Sequence, residues 1–209
     1  MNTIENLKWR YAVKKFDENK SLSEIQITTL KEAFNLTATS YGLQPLKMVV
    51  IQNKEIQQQL VAHSWNQPQV GQASHVLVLC IPKKYSVADV DTYFSLVKKV
   101  RNTSDEILAP FKKMLTDTIS SKTQEELTIW NKNQAYIALG NLMTVAANQQ
   151  IDSCPMEGFV PEKYDEILGL DKHNLTSVLV LPVGFRAEDD YMKDLKKVRK
   201  NIEDIIIEM

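Results

Sequence analysis

The stretch AYIALGNLMTVAA, from Ala135 to Ala147, decides how the chain is read. It is apolar on nearly every side of a helical wheel, which predicts a central helix packed all round. Upstream, Thr123 and Glu126 have capping-box spacing, so the helix opens there and continues to about Asn148. One polar side chain on its N-terminal side, Gln134, stands out against the apolar run. Three runs rich in β-branched residues read as buried strands: Leu46 to Gln52 (LKMVVIQ), His75 to Ile81 and Thr176 to Val183. The last two lack the alternation of a sheet with one wet face, so helices are expected on both sides.

Further helices follow from caps and spacing. Ser21 and Glu24 have capping-box spacing, with Leu22, Ile25, Leu30, Ala33 and Phe34 behind them. Asn53 caps a short helix through Val61, and Ser86 caps one carrying Val87, Val90, Tyr93, Phe94 and Val97. Residues Asp105 to Ile119 are amphipathic, and the closing DIIIEM suits a terminal strand at a sheet edge. No linker, repeat or low-complexity block divides the chain. The expectation is one α+β domain over residues 1–209.

Composition narrows the function. The 209 residues include 25 basic and 26 acidic side chains, for a net charge of −1. That leaves no global positive field for a nucleic acid backbone and no polybasic cluster for a membrane surface. The opening MNTIENLKWRYAVKKF is interrupted by Glu5, Arg10 and Lys14, so it does not read as a secretory signal. No run of about 18 apolar residues is present to span a bilayer. Cys80 and Cys154 are far apart and form no CxxC pair, and a cytoplasmic setting is expected. His63, His75 and His173 have no metal-ligand spacing, and no metal is expected. GxSxG, GxxxxGK[ST] and GxGxxG are all missing, which leaves serine hydrolases, P-loop enzymes and Rossmann dehydrogenases unsupported.

Cations gather at both ends of the chain: Arg10, Lys14 and Lys15 in RYAVKKFD, and Lys196, Lys197, Arg199 and Lys200 in LKKVRK. They are either two solvated charge runs or one phosphate clamp, since phosphate suits a bidentate Arg and a point-charge Lys. Two loops are polar without obvious structural need. One is TATSYGLQP, Thr37 to Pro45, which turn chemistry would explain. The other is CPMEGF, Cys154 to Phe159, whose Glu157-Gly158 pair allows an exposed N–H in a tight turn.

In this order the segments resemble the oxygen-insensitive nitroreductase and flavin reductase group of the nitroreductase family. The resemblance covers nearly the whole chain. It rests on seven collinear segments: RYAVKKFD, TATSYGLQP, ASHVLVLC, NQAYIALGNLM, PMEGF, VLVLPVGFRAEDD and LKKVR. It implies an FMN-binding α+β fold with a mostly buried antiparallel or mixed sheet, flanking helices, a long central helix and a C-terminal extension. It also implies a homodimer with FMN at its interface. Arg10, Lys197 and Arg199 match residues gripping the FMN phosphate, with Tyr11 and Ala12 beside them. A hydroxyl residue is common where Ala12 stands. Lys14 matches the lysine at the N1/C2 carbonyl edge of the flavin. Thr39 and Ser40 match a loop from the partner subunit, and Gly42 stands where asparagine is common. Asn66 matches the asparagine on the pyrimidine edge, and Gln134 the glutamine reaching the cofactor from the central helix. Pro155, Met156, Glu157 and Gly158 match the loop against the flavin, where the Glu157 N–H would face N5. Gln69 aligns with a second lysine common in the family, and Lys83 or Lys84 could compensate for it.

The function so implied is NAD(P)H oxidation by a ping-pong mechanism, with nitroaromatics, quinones or related small electrophiles as acceptors. Either NADH or NADPH serves as donor. No side-chain base is required, because the flavin carries the redox step while the protein supplies position and electrostatics. A dedicated flavin or dihydropteridine reductase is the alternative within the enzymes. An FMN-binding carrier or sensor without turnover is the alternative outside them. Phe111 and Met114 are candidates for the pocket mouth, with core packing as the competing reading.

Overall fold

The computed structural model describes residues 2–209. Four strands, β1 (Lys47–Ile51), β2 (His75–Pro82), β3 (Asp152–Ser153) and β4 (Leu175–Gly184), form one sheet of order β1-β2-β4-β3. All neighbours are antiparallel, with Leu77 opposite Leu181 and Val78 opposite Val180 in the central pair and Val49 opposite Val78 at the β1 side. Among the described residues eight α-helices accompany the sheet: α1 (Thr3–Trp9), α2 (Glu24–Asn35), α3 (Lys54–Val61), α4 (Gln69–Gln72), α5 (Val87–Arg101), α6 (Asp105–Ser120), α7 (Gln124–Asn148) and α8 (Pro161–Leu168).

The unbroken apolar runs of β2 and β4 are explained by two cores, one on each face. Leu77, Leu79, Ile81, Leu179, Leu181 and Val183 meet Ala135, Ala138, Leu139 and Leu142 of α7 and Ile27 and Leu30 of α2. The alternate residues Val76, Val78, Cys80 and Val180 meet Leu60 of α3, Val70 of α4 and Tyr164 of α8. Each of the Leu, Ile and Val side chains among them, fully withdrawn from water, contributes about 1.5–3 kcal/mol. A third cluster, with Val90 and Phe94 of α5 and Leu115 and Ile119 of α6, packs on Leu127 at the start of α7.

The caps of α3, α5 and α7 stand where the sequence puts them. Asn53 accepts from Glu55 N at 2.9 Å, Ser86 N donates to Asp89 at 2.8 Å, and Thr123 N donates to Glu126 at 2.7 Å. The α2 box is displaced. Its N-cap is Ser23, paired with Gln26, rather than Ser21 with Glu24. Leu22 precedes the cap and is buried in the same cluster as Ile27, a hydrophobic staple that fixes where the chain turns into the helix.

Two further expectations are corrected. The α7 helix is not packed all round within one chain: Ile129, Tyr136 and Ile137 are about half exposed, and a Cβ on Gly140 would meet nothing within 4 Å. The closing DIIIEM is not a strand. A short 3-10 turn spans Ile202–Asp204, and Ile205, Ile206 and Ile207 stand exposed. A β-branched run becomes a strand only beside a partner, and this tail reaches none in its own chain. Among the described residues no helix is long and apolar enough to cross a membrane. Among them, too, no group of three or more His, Cys, Asp and Glu could hold a metal ion.

Candidate functional site

Helix α1 stops at Trp9, and Arg10 leaves it in an extended conformation. The chain then runs past β3, with Val13 N donating to Ser153 O at 3.3 Å. Two buried carboxylates hold this segment. Asp152 accepts from Arg186 Nε at 2.8 Å and from Arg186 N at 2.8 Å. The Arg186 guanidinium lies 4.2 Å from the Trp9 ring centroid and 4.4 Å from that of Tyr11, so it fixes the residues on both sides of Arg10. Asp190, only 2% exposed, accepts from Tyr11 Oη, Lys14 N and Met192 N, each at 3.0 Å. One carboxylate thus ties residues 11–14 to the start of the C-terminal segment. Burial pushes its carboxyl up, but these bonds together prevail and hold it below the usual aspartate range.

That tie brings the two charge runs together. Arg10, Lys197 and Arg199 line one cavity of about 590 Å³ with Tyr11, Ala12 and Pro155, and among the described residues no carboxylate lines it. Lys197 Nζ donates to Arg10 O. Burial, then the charge of Arg199, lowers the pKa of Arg10; burial, then Arg10 and Arg199, lowers that of Lys197. Arg10 Nε is buried with no partner. Three cations facing one another around an unsatisfied donor form an anion socket.

Beside the socket, Cys154 joins two predicted residues. Lys14 Nζ lies 4.0 Å and Gln69 Nε2 3.8 Å from its Sγ. Burial pushes the thiol up, against the pull of Lys14. Gln69 is 2% exposed and also donates to Gln67 Oε1 at 2.9 Å, while Gln67 Nε2 donates to Gly158 O at 3.2 Å. Met156 is pinned to the sheet by its N–H on Val180 O at 2.8 Å, and Phe159 N closes a turn on Glu157 O at 3.0 Å. The Tyr136 hydroxyl of α7 donates to the Glu157 carboxylate at 2.9 Å. Asn66 is exposed, in the left-handed region at φ 56°.

The structure therefore gathers Arg10, Tyr11, Ala12, Lys14, Gln69, Pro155, Met156, Glu157, Gly158, Lys197 and Arg199 in one continuous region, and Asn66 stands between Trp65 and Gln67, which both approach Gly158. Thr39, Ser40, Gly42 and Gln134 form a second group. Gln134 Oε1 accepts from Ser40 N at 2.8 Å, and Gln44 N donates to Thr39 Oγ1 at 3.0 Å. Among the described residues no hydrogen bond or ion pair joins this group to the first. The Lys83 ammonium pairs with Asp171 and lies 3.8 Å from Asp165. Phe111 and Met114 are partly exposed rather than core, and Phe111 packs on Phe94 and Tyr41 at centroid distances of 5.6 and 6.4 Å. Sequence reading missed Asp152, Arg186, Asp190 and the meeting point at Cys154. GFRAEDD contains Arg186 and Asp190, but nothing in their spacing shows that one stacks and the other is buried.

The chain is similar, at 35% identity over 212 residues, to a Staphylococcus epidermidis protein provisionally named as an NAD(P)H nitroreductase. That match covers 97% of this chain and 94% of the relative. The major NAD(P)H-flavin oxidoreductase of Aliivibrio fischeri is 33% identical over 210 residues, covering 97% of this chain and 96% of its own. In fold, the chain is similar to a protein of Exiguobacterium sibiricum provisionally called a nitroreductase and solved in complex with FMN. The TM-score is 0.85 at 21% identity, over 100% of this chain and 98% of the other. The profile described as the Nitroreductase family matches residues 7–185, which contain both cores and the site residues other than Arg186, Asp190, Lys197 and Arg199. By that match and by its full-length relatives, the chain belongs to the nitroreductase family.

Proposed function

We propose that this chain is an FMN-dependent NAD(P)H oxidoreductase that passes electrons to small electrophilic acceptors such as nitroaromatics and quinones. The observation that carries this reading is the socket of Arg10, Lys197 and Arg199, with its unpartnered buried Nε and no carboxylate to satisfy it. It fits the phosphate of FMN, a monoester dianion that three cations can neutralise. The names of the Staphylococcus and Aliivibrio relatives, each matched over nearly full length, support the donor and the flavin chemistry.

When bound, FMN supplies the two-electron chemistry. The chain's own residues hold and bias it. Arg10, Lys197 and Arg199 grip the phosphate, with Tyr11 and Ala12 along the edge. Lys14, held by its N–H on Asp190, brings the ammonium that stabilises negative charge on the reduced ring. Asn66 and Gln69 bring amides to the ring edge, and the Pro155–Gly158 loop presents the Glu157 N–H. Donor and acceptor use the same space in turn, which is ping-pong kinetics.

The second group, Thr39, Ser40, Gly42 and Gln134, belongs in this reading to the cofactor site of a second copy. The bare face of α7 and the unpaired tail are the surfaces that such a homodimer would cover. The unit is one domain over residues 1–209, working in the cytoplasm without nucleic acid or membrane. A dedicated flavin reductase is the second reading, favoured by the Aliivibrio relative.

An absorption spectrum of the purified protein, taken before and after anaerobic NADH or NADPH, tests the proposal. Flavin bands that bleach and return with menadione are expected. Bands that never bleach would make the chain an FMN carrier or sensor. A protein that takes up no FMN would overturn the reading.

A further inference from the structure

Glu157 carries the only carboxylate in CPMEGF, the segment that the proposed function lays against the flavin. The backbone on both sides of it is already fixed. Met156 N donates to Val180 O at 2.8 Å, and Val180 N donates to Met156 O at 3.1 Å. Phe159 N closes the turn on Glu157 O at 3.0 Å, and Gln67 Nε2 donates to Gly158 O at 3.2 Å. The Glu157 side chain goes elsewhere. Its carboxylate reaches across to α7, where the Tyr136 hydroxyl donates to it at 2.9 Å. Burial, then the bond to Glu157 and the charge of Glu157, raise the pKa of Tyr136, so its hydroxyl remains a donor at neutral pH.

Holding the turn does not explain this bond. Both side chains stand at the surface, Tyr136 being 46% exposed, and a hydrogen bond there adds little to a turn already tied by its backbone. What the bond does hold is a charge. Reduction adds negative charge to the flavin ring, which the Lys14 ammonium favours in the proposed function. A carboxylate free to swing beside the ring would oppose it by the same Coulombic rule.

We propose that Tyr136 is a positioning residue that holds the Glu157 carboxylate off the flavin ring and so favours the reduced cofactor. It acts through Glu157 and not on the ring. This inference rests on the proposed function and adds to it a residue that sets how readily the bound flavin is reduced.

The test is a series of four FMN-loaded proteins: wild type, Tyr136→Phe, Glu157→Gln and the double variant. Each is reduced anaerobically against a reference dye of known potential, and the ratio of reduced to oxidised flavin is read at one fixed potential. Tyr136→Phe, which removes a single oxygen, should lower that ratio about tenfold, the two-electron equivalent of about 30 mV. With Glu157→Gln already in place the same substitution should leave the ratio unchanged, because no charge remains to be held. The second readout is retention of oxidised FMN on dilution, followed by fluorescence. It should agree within about twofold across the series, since the oxidised ring carries no negative charge for the carboxylate to oppose. A ratio that holds or rises in Tyr136→Phe overturns the proposal. An equal fall with and without Glu157→Gln also overturns it, placing the effect in the fold or in a subunit contact, as does a matching loss of oxidised FMN. Wild-type protein that bleaches with NADH or NADPH in the same series shows that such a failure belongs to Tyr136 and not to the proposed function.

Discussion

Arg10 and Gln69 show how much one side chain decides at this site. Arg10 sits in a socket with two other cations and carries a buried Nε without a partner. Replacing it with Ala removes charge-assisted bonds worth about 1.5–3 kcal/mol each. Arg10→Ala should weaken FMN binding roughly 10- to 100-fold while leaving riboflavin, which lacks the phosphate, nearly unaffected. Fluorescence titration with both ligands checks this, and equal losses would mean that the socket does not hold the phosphate. Gln69 presents a neutral amide beside Lys14 and Cys154. At an effective dielectric near 20, a charge pair at about 4 Å is worth roughly 4 kcal/mol before desolvation costs. Gln69→Lys should raise the two-electron potential of the bound flavin by some tens of millivolts, at about 30 mV per 1.4 kcal/mol. A spectroelectrochemical potential that does not move would place Gln69 away from the ring.

At the scale of elements, the caps and the carboxylate ties set the site's geometry. The α7 helix presents Tyr136 to Glu157 and Gln134 to Ser40, and its start depends on Thr123, whose hydroxyl accepts from Glu126 N at 3.2 Å. Thr123→Ala should cost about 1 kcal/mol, read as a lower urea midpoint at unchanged slope. Asp190 joins the segment after α1 to the C-terminal segment, and its folded pKa lies below the unfolded value of about 3.9. Its contribution is therefore complete above the unfolded pKa and is lost as pH falls through the folded one. Urea midpoints measured from pH 6 to pH 3 should fall less steeply for Asp190→Asn than for wild type. Parallel profiles would show that the carboxylate is not a tie.

For the whole molecule, the question is what covers α7. In a single chain Gly140 faces open space, and Ile137 is half exposed. If the proposed homodimer seats a second copy there, Gly140→Leu should convert it to monomer and weaken FMN retention. If that face meets only water, the substitution should instead stabilise the helix by roughly 0.5–1 kcal/mol, as replacing a helix-interior glycine does. Light scattering with a thermal melt separates the two outcomes.

Elements whose signals are local could be read from the residues alone. The central helix and its Thr123 cap, the buried runs at β2 and β4 and the Asn53 and Ser86 caps are properties of a few neighbouring residues, so they could be read in advance. The Ser21 reading slipped by two residues because the staple between Leu22 and Ile27 is a packing contact that spacing does not show. The candidate site was legible as residue types: cations at both ends, a small polar loop, CPMEGF. That the cations meet is visible only in the folded chain. That depends on Asp190 and the pair of Asp152 with Arg186, whose partners lie more than thirty positions apart in the chain and leave no periodicity to detect. The fold likewise decided that the DIIIEM tail is not a strand and that one face of α7 stays bare. Apolar character shows in the sequence, but whether such a surface finds a neighbour is settled by where the rest of the chain goes.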